Sequence, residues 1–188
     1  MRIQDIAYIA LFAALTGVLG LIPRIDLGFV PVPITAQSLG PMLAGSILGA
    51  RRGALSQLLF LLLVAAGLPL ITGGRGGLGF FATPSTGFVL AFPLAAAVAG
   101  AMTERLWLRL NFVTAFITNI LGGICVVYAL GIPVLAAIAG LSLWNAAAGS
   151  LVFLPGDLAK AALAASVAMF VKRGYPVIEG RQARAEDP

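Results

Sequence analysis

Asp157 and Lys160 stand three residues apart in Pro155-Gly156-Asp157-Leu158-Ala159-Lys160. On a helix that spacing puts both side chains on one face, where they reach a common point. Pro155 just before the start suits a helix N-terminus, whose free N–H groups and dipole favour an anion. Two roles fit this pattern. One is an outward-facing ion pair with Asp157 helping to cap the helix. The other is a substrate site in which Lys160 clamps a carboxylate and Asp157 accepts from substrate N–H groups.

A second polar feature is Thr72-Gly73-Gly74-Arg75-Gly76-Gly77-Leu78-Gly79, followed by Ala82-Thr83-Pro84-Ser85-Thr86-Gly87. Glycines in such number cost backbone entropy and are useful where a chain must approach a ligand closely or adopt positive φ. A flexible connector is the competing account of Gly73 and Gly74. Arg75 tilts the reading toward a binding site, with Ser85 and Thr86 as nearby hydroxyls. In Pro31-Val32-Pro33-Ile34-Thr35-Ala36-Gln37, polar Thr35 and Gln37 are expected to enter the second helix from the same side as Arg75. They suit a neutral polar ring on a ligand, or equally hydrogen bonds between helices worth about a kcal/mol each.

Other chemistry is excluded by what is missing. The chain has no histidine and one cysteine, Cys125 in an apolar run. That removes a disulfide framework and the common zinc spacings, so no metal site is expected. There is no Gly-x-x-x-x-Gly-Lys-Ser/Thr phosphate loop, so the chain is not expected to be an enzyme that hydrolyses ATP by that route. Nor is there a carboxylate pair inside the apolar intervals, as a proton pump would need. No cofactor is expected.

The elements that must position these groups are membrane helices. Of 188 residues, 60% are hydrophobic and 10% charged, with a mean hydropathy of +1.03; a soluble domain carries about 25% charged residues. The expected fold class is an all-α integral membrane protein. A net charge of +5 would suggest nucleic acid in a soluble chain. Here the basic residues sit between long apolar runs and read as topology signals and lipid-headgroup contacts, so no nucleic-acid partner is expected. The apolar run to Ile22 lacks a good small-x-small site and reads as a retained first helix rather than a cleaved signal.

Charges divide the sequence into uncharged intervals at Ile6–Pro23, Leu27–Ala50, Gly53–Gly74, Gly76–Thr103 and Leu110–Gly156. A crossing needs about 20 residues, so the first four give one each. The fifth either turns at Gly131-Ile132-Pro133 and crosses twice, or crosses once and continues as a shorter helix. Positive residues accumulate in short cytoplasmic loops. Six spans with both termini cytoplasmic put Arg2, Arg51, Arg52, Arg105, Arg109, Lys172, Arg173, Arg181 and Arg184 inside, against Arg24, Arg75 and Lys160. Seven would move the basic tail outside. The expectation is therefore six transmembrane helices in one domain, residues 1–175, an irregular apolar segment around Pro133 to Leu154, and a short cytoplasmic tail, 176–188. On the first helix Ala7, Ala10, Ala13 and Ala14 are small. Ala10 and Ala14, four apart, offer a flat face for close packing of a partner helix or for ordinary packing within the chain.

Taken in order, Thr35-Ala36-Gln37-Ser38-Leu39-Gly40, Arg52-Gly53-Ala54-Leu55-Ser56-Gln57-Leu58-Leu59-Phe60, Gly67-Leu68-Pro69, Gly73-Gly74, Gly76-Gly77, Pro84, Gly87-Phe88 and Pro155-Gly156-Asp157-Leu158-Ala159-Lys160 resemble the biotin-specific substrate-binding subunit of energy-coupling factor transporters, the BioY family. The resemblance covers nearly the whole chain. It implies a six-helix subunit of the bacterial cytoplasmic membrane with a biotin pocket near the outer leaflet. It also implies partners: a transmembrane coupling protein and two ATPase subunits. Asp157 and Lys160 fall on the family's polar ligand-binding pair, and the Ala10-x-x-x-Ala14 face becomes the surface that docks on the coupling protein. Where some relatives carry an asparagine or an arginine in the loop before helix four, this chain has Gly73, Gly74 and Arg75, then Ser85 and Thr86. The competing reading is a secondary transporter that moves biotin or another small anionic vitamin alone. It predicts inverted repeats or coupling-ion carboxylates, which the sequence lacks.

Overall fold

The structure, a computed structural model, describes residues 2–28 and 31–178. Arg181, Arg184 and most of the expected tail lie outside the described residues. The helices are α1 (Ile3–Leu19), α2 (Leu39–Leu48), α3 (Ala50–Ala65), α4 (Thr86–Leu90), α5 (Phe92–Arg105), α6 (Phe112–Asn119), α7 (Val127–Ala139), α8 (Leu143–Ser150) and α9 (Leu154–Gly174). Strand-like pairing among the described residues is limited to two isolated antiparallel bridges, Ile25 with Ile34 and Ile71 with Arg75. The all-helical expectation holds.

Among the described residues three continuous helical runs are long and apolar enough to cross a membrane: Thr86–Arg105, Phe112–Ala139 and Leu143–Gly174. The interval from Leu27 to Ala50 behaves differently. Its helix, α2, has 10 residues and every one is buried. At about 1.5 Å per residue it covers half the hydrocarbon thickness. It ends at Gly49, whose φ of 84° lets the chain break and restart at once as α3.

α2 is the hub of the fold. Met42, Leu43, Ile47 and Leu48 pack into one cluster with Phe12 of α1, Ala96 of α5 and Ala161, Ala164 and Ala168 of α9. Small residues set the approach distances. A Cβ on Gly45 would lie 2.6 Å from the Ala96 carbonyl oxygen, so α2 and α5 meet almost backbone to backbone. In lipid, such dispersion contacts replace the missing hydrophobic drive between helices. Hydrogen bonds add to them: Ser46 Oγ donates to Asn119 Oδ1 at 2.9 Å, and Gln57 Nε2 to Thr16 Oγ1 at 3.1 Å.

The expected irregular segment around Pro133 to Leu154 is helical instead. α6 continues through a π-helical stretch, Ile120–Val126, into α7, with Pro133 inside the helix. Proline removes one backbone hydrogen bond there, but a full break in lipid would leave several polar groups unsatisfied. The neighbouring α4 supports the continuous helix: Gly87 and Gly131 let α4 and α7 approach closely, with the Phe88 ring against Gly131. The chain turns instead at Gly140, in the left-handed conformation with φ 66°, a common helix stop. The shorter helix after this crossing is α8, joined through a 3-10 turn, Leu151–Phe153, to α9. Pro155 accordingly lies within the first turn of α9 rather than before it.

Candidate functional site

The Asp157–Lys160 spacing does what helical geometry requires. Lys160 Nζ lies 2.8 Å from Asp157 Oδ1. The pair faces inward: Asp157 is 6% exposed. Asp157 does not cap the helix, since its oxygens go elsewhere. Tyr128 Oη donates to Oδ2 at 2.8 Å, and Ser38 Oγ donates to Oδ1 at 3.1 Å while accepting from Lys160 Nζ at 3.0 Å. Three elements thus converge on one carboxylate: the turn before α2, α7 and α9. The outward-facing capping pair is corrected by this geometry. A carboxylate this buried is tolerable only because a cation and two hydroxyls compensate it.

Above this cluster lies a cavity whose walls are largely aromatic and aliphatic, with Phe80, Phe88, Phe92, Phe153 and Val127 among them. Polar and charged side chains share the lining with these apolar walls, a combination that suits a small amphipathic ligand. Thr35, Gln37, Arg75, Ser85, Asp157 and Lys160 all line it. Gly73, Gly74 and Thr86 do not. Thr86 Oγ1 donates to the Phe80 carbonyl at 2.8 Å and so fixes the wall from behind. Gly73 and Gly74, at φ 83° and 69°, make the tight turn that pairs Ile71 with Arg75, a conformation that disfavours any side chain. They shape the loop that holds Arg75.

Arg75 is a cavity cation with no ion pair among the described residues. Its Nε donates to the Thr72 carbonyl at 3.2 Å, and its guanidinium carbon sits 5.6 Å from the Phe80 ring centroid. Burial lowers its pKa from the usual arginine value, the Arg24 guanidinium lowers it further, and Asp26 opposes both. It remains charged at neutral pH.

Thr35 and Gln37 precede the second helix rather than entering it, because α2 begins at Leu39. Gln37 uses both ends of its amide on protein. Its Nε2 donates to the Thr16 and Leu70 carbonyls, and its Oε1 accepts from Thr72 N–H and Oγ1. Sequence reasoning missed Ser38, Thr72 and Tyr128. Tyr128 carried a readable signal, as a hydroxyl within a long apolar run. Ser38 and Thr72 lay within flagged motifs without a role, because their contacts with α9 and with Gln37 come from tertiary packing.

Among the described residues no group of three or more His, Cys, Asp or Glu side chains is placed to hold a metal ion. Ala10 and Ala14 lie away from the cavity on the exposed side of α1, whereas Ala13 is 1% exposed and packs inward.

Comparison with known proteins bears on the family and the fold. The family model described as the BioY family matches residues 1–177. The biotin transporter BioY of Rhizobium etli is 50% identical over 186 residues, covering 96% of this chain and 100% of that protein. The probable biotin transporter BioY of Bacillus subtilis is 50% identical over 169 residues, 90% of each. A crystallised S-component for biotin from an ECF-type ABC transporter superposes with a TM-score of 0.88 at 32% identity, covering 93% of this chain and 94% of that one. With its three long apolar helices, the molecule is a membrane protein, and the chain belongs to the BioY family.

Proposed function

We propose that this chain binds biotin in the cavity and serves its uptake across the bacterial cytoplasmic membrane as the substrate-specific subunit of an ECF-type ABC transporter. A transmembrane coupling subunit and two ATPase subunits supply the energy. The observation that carries the reading is the buried Asp157 carboxylate at a cavity that also contains an ion-unpaired arginine. Biotin is a cyclic urea with N–H donors at one end, an apolar ring and alkyl chain between, and a carboxylate at the other. Asp157 suits the urea N–H groups, with the third N–H of Lys160 as donor for its carbonyl, since the single hydroxyl protons of Ser38 and Tyr128 already go to Asp157. Lys160 is already neutralised by Asp157, so Arg75 is the better partner for the carboxylate. The aromatic walls suit the apolar middle.

A titration of the purified chain with biotin, riboflavin and thiamine tests this. Saturable binding of biotin alone is expected. Equal or tighter binding of either other vitamin would overturn the assignment.

The same reading places six spans in the membrane with both termini cytoplasmic. Hydrogen bonds tie basic residues of different helices to neighbouring segments: Arg52 to Asp5 and the Val177 carbonyl, and Lys172 to the Trp107 and Leu110 carbonyls. Such residues favour the cytoplasmic face. A reporter fused after Tyr175 is expected to be active only in its cytoplasmic form.

A further inference from the structure

A second concavity lies between α6 and α9, lined by Asn111, Phe112, Ser166, Met169, Phe170 and Arg173. Its walls belong to two of the helical runs suited to cross a membrane. Its outer edge is strongly exposed and apolar: Phe170 is 80% exposed and Phe112 46%. Arg173 lies one residue before the C-terminal end of α9. Trp107 marks the same level, with Lys172 Nζ 5.2 Å from its ring centroid. Aromatic and basic residues together are typical of the membrane interface. The groove thus has a cation at its mouth and an apolar wall along the helices below.

We propose that this groove binds one acidic phospholipid, its acyl chain along Phe112, Met169 and Phe170 and its phosphate at Arg173. Charge complementarity selects the acidic class. At this end of the molecule Arg51, Arg52, Arg105, Arg109, Lys172 and Arg173 face only two carboxylates among the described residues, and both are engaged. Asp5 pairs with Arg52, and Glu104 accepts from Ala50 N–H. Arg109 and Arg173 are exposed and have no ion pair among the described residues. The groove lies outside the biotin cavity, so the two sites share no lining residue.

Native mass spectrometry of the purified full chain, with phosphatidylglycerol and phosphatidylcholine supplied at equal concentration, tests the proposal. Retention of phosphatidylglycerol is expected to exceed that of phosphatidylcholine at least about fivefold, since one basic residue near the surface contributes about 1 kcal/mol. Arg173→Gln is expected to remove most of that preference, and Phe170→Ala to reduce retention of both lipids, while biotin binding stays intact as evidence of folding. Equal retention of the two lipids by the unaltered chain would overturn the proposal. So would a preference that survives Arg173→Gln, because the cationic end as a whole would then account for it. In the assembled transporter, cross-linking of Cys placed at 166 (Ser166→Cys, with Cys125→Ser) to another subunit would assign the groove to a protein partner and overturn it as well.

Discussion

Gln37 Oε1 accepts two hydrogen bonds from Thr72, one from its backbone N–H at 3.0 Å and one from its Oγ1 at 2.9 Å. A single amide therefore ties the turn before α2 to the glycine-rich loop, and its Nε2 ties both to α1 at the Thr16 carbonyl. Gln37→Leu is expected to destabilise the chain by about 1–3 kcal/mol, the cost of leaving buried partners unsatisfied. The lower melting temperature in detergent should come with weaker biotin binding, because the wall carrying Arg75 loosens. Weaker binding at an unchanged melting temperature would instead make Gln37 a direct ligand contact.

The cluster at Asp157 predicts a graded series. Lys160→Ala leaves a buried carboxylate without its cation and is expected to weaken biotin binding by at least about 2 kcal/mol. Tyr128→Phe removes one hydrogen bond to the charged Asp157 carboxylate, should cost about 1.5–3 kcal/mol, and should weaken binding less than loss of the cation. Isothermal titration on both variants, with thermal unfolding alongside, gives the order. Unchanged affinity in a folded Lys160→Ala would reduce the pair to a structural contact.

How far the sequence carried this site depended on the range of each interaction. The Asp157–Lys160 pair was readable because both partners belong to one helix turn. Arg75 was readable because charge is rare between apolar runs. The segment from Pro133 was expected to be irregular because proline signals a break in water, whereas lipid penalises unsatisfied backbone and keeps the helix intact through Pro133. The depth of α2 was hidden for a related reason. An uncharged interval gives the length of chain near the membrane, not how much of it is helix, and only the packing around Met42 and Gly45 shows that ten residues suffice for α2.

Arg75 offers a test of ligand orientation. If it meets the biotin carboxylate, Arg75→Gln should weaken binding of biotin about tenfold or more, as expected for losing a charge-assisted hydrogen bond. It should leave the binding of biotin amide nearly unchanged. Competition titrations with the acid and the amide on both proteins separate charge recognition from loop packing. An equal loss for both ligands would assign Arg75 to holding the loop through Thr72 and Phe80.

Ala10 and Ala14 are expected to separate substrate binding from assembly. α1 buries Ile9, Phe12, Ala13, Thr16 and Gly17 against the rest of the molecule, leaving Ala10 and Ala14 on the opposite, exposed side, one turn apart. Only small side chains let another helix approach closely enough for packing to hold in lipid. Ala10→Trp or Ala14→Trp places bulk on that face without entering the core or the cavity. Biotin binding by the isolated chain should stay nearly intact, while capture of the coupling subunit and ATP-driven uptake fall. A pull-down run beside a binding titration distinguishes the outcomes. Full assembly and uptake in both variants would move the docking face elsewhere on the molecule. Loss of binding and assembly together would mean that the exposed face of α1 also supports the fold.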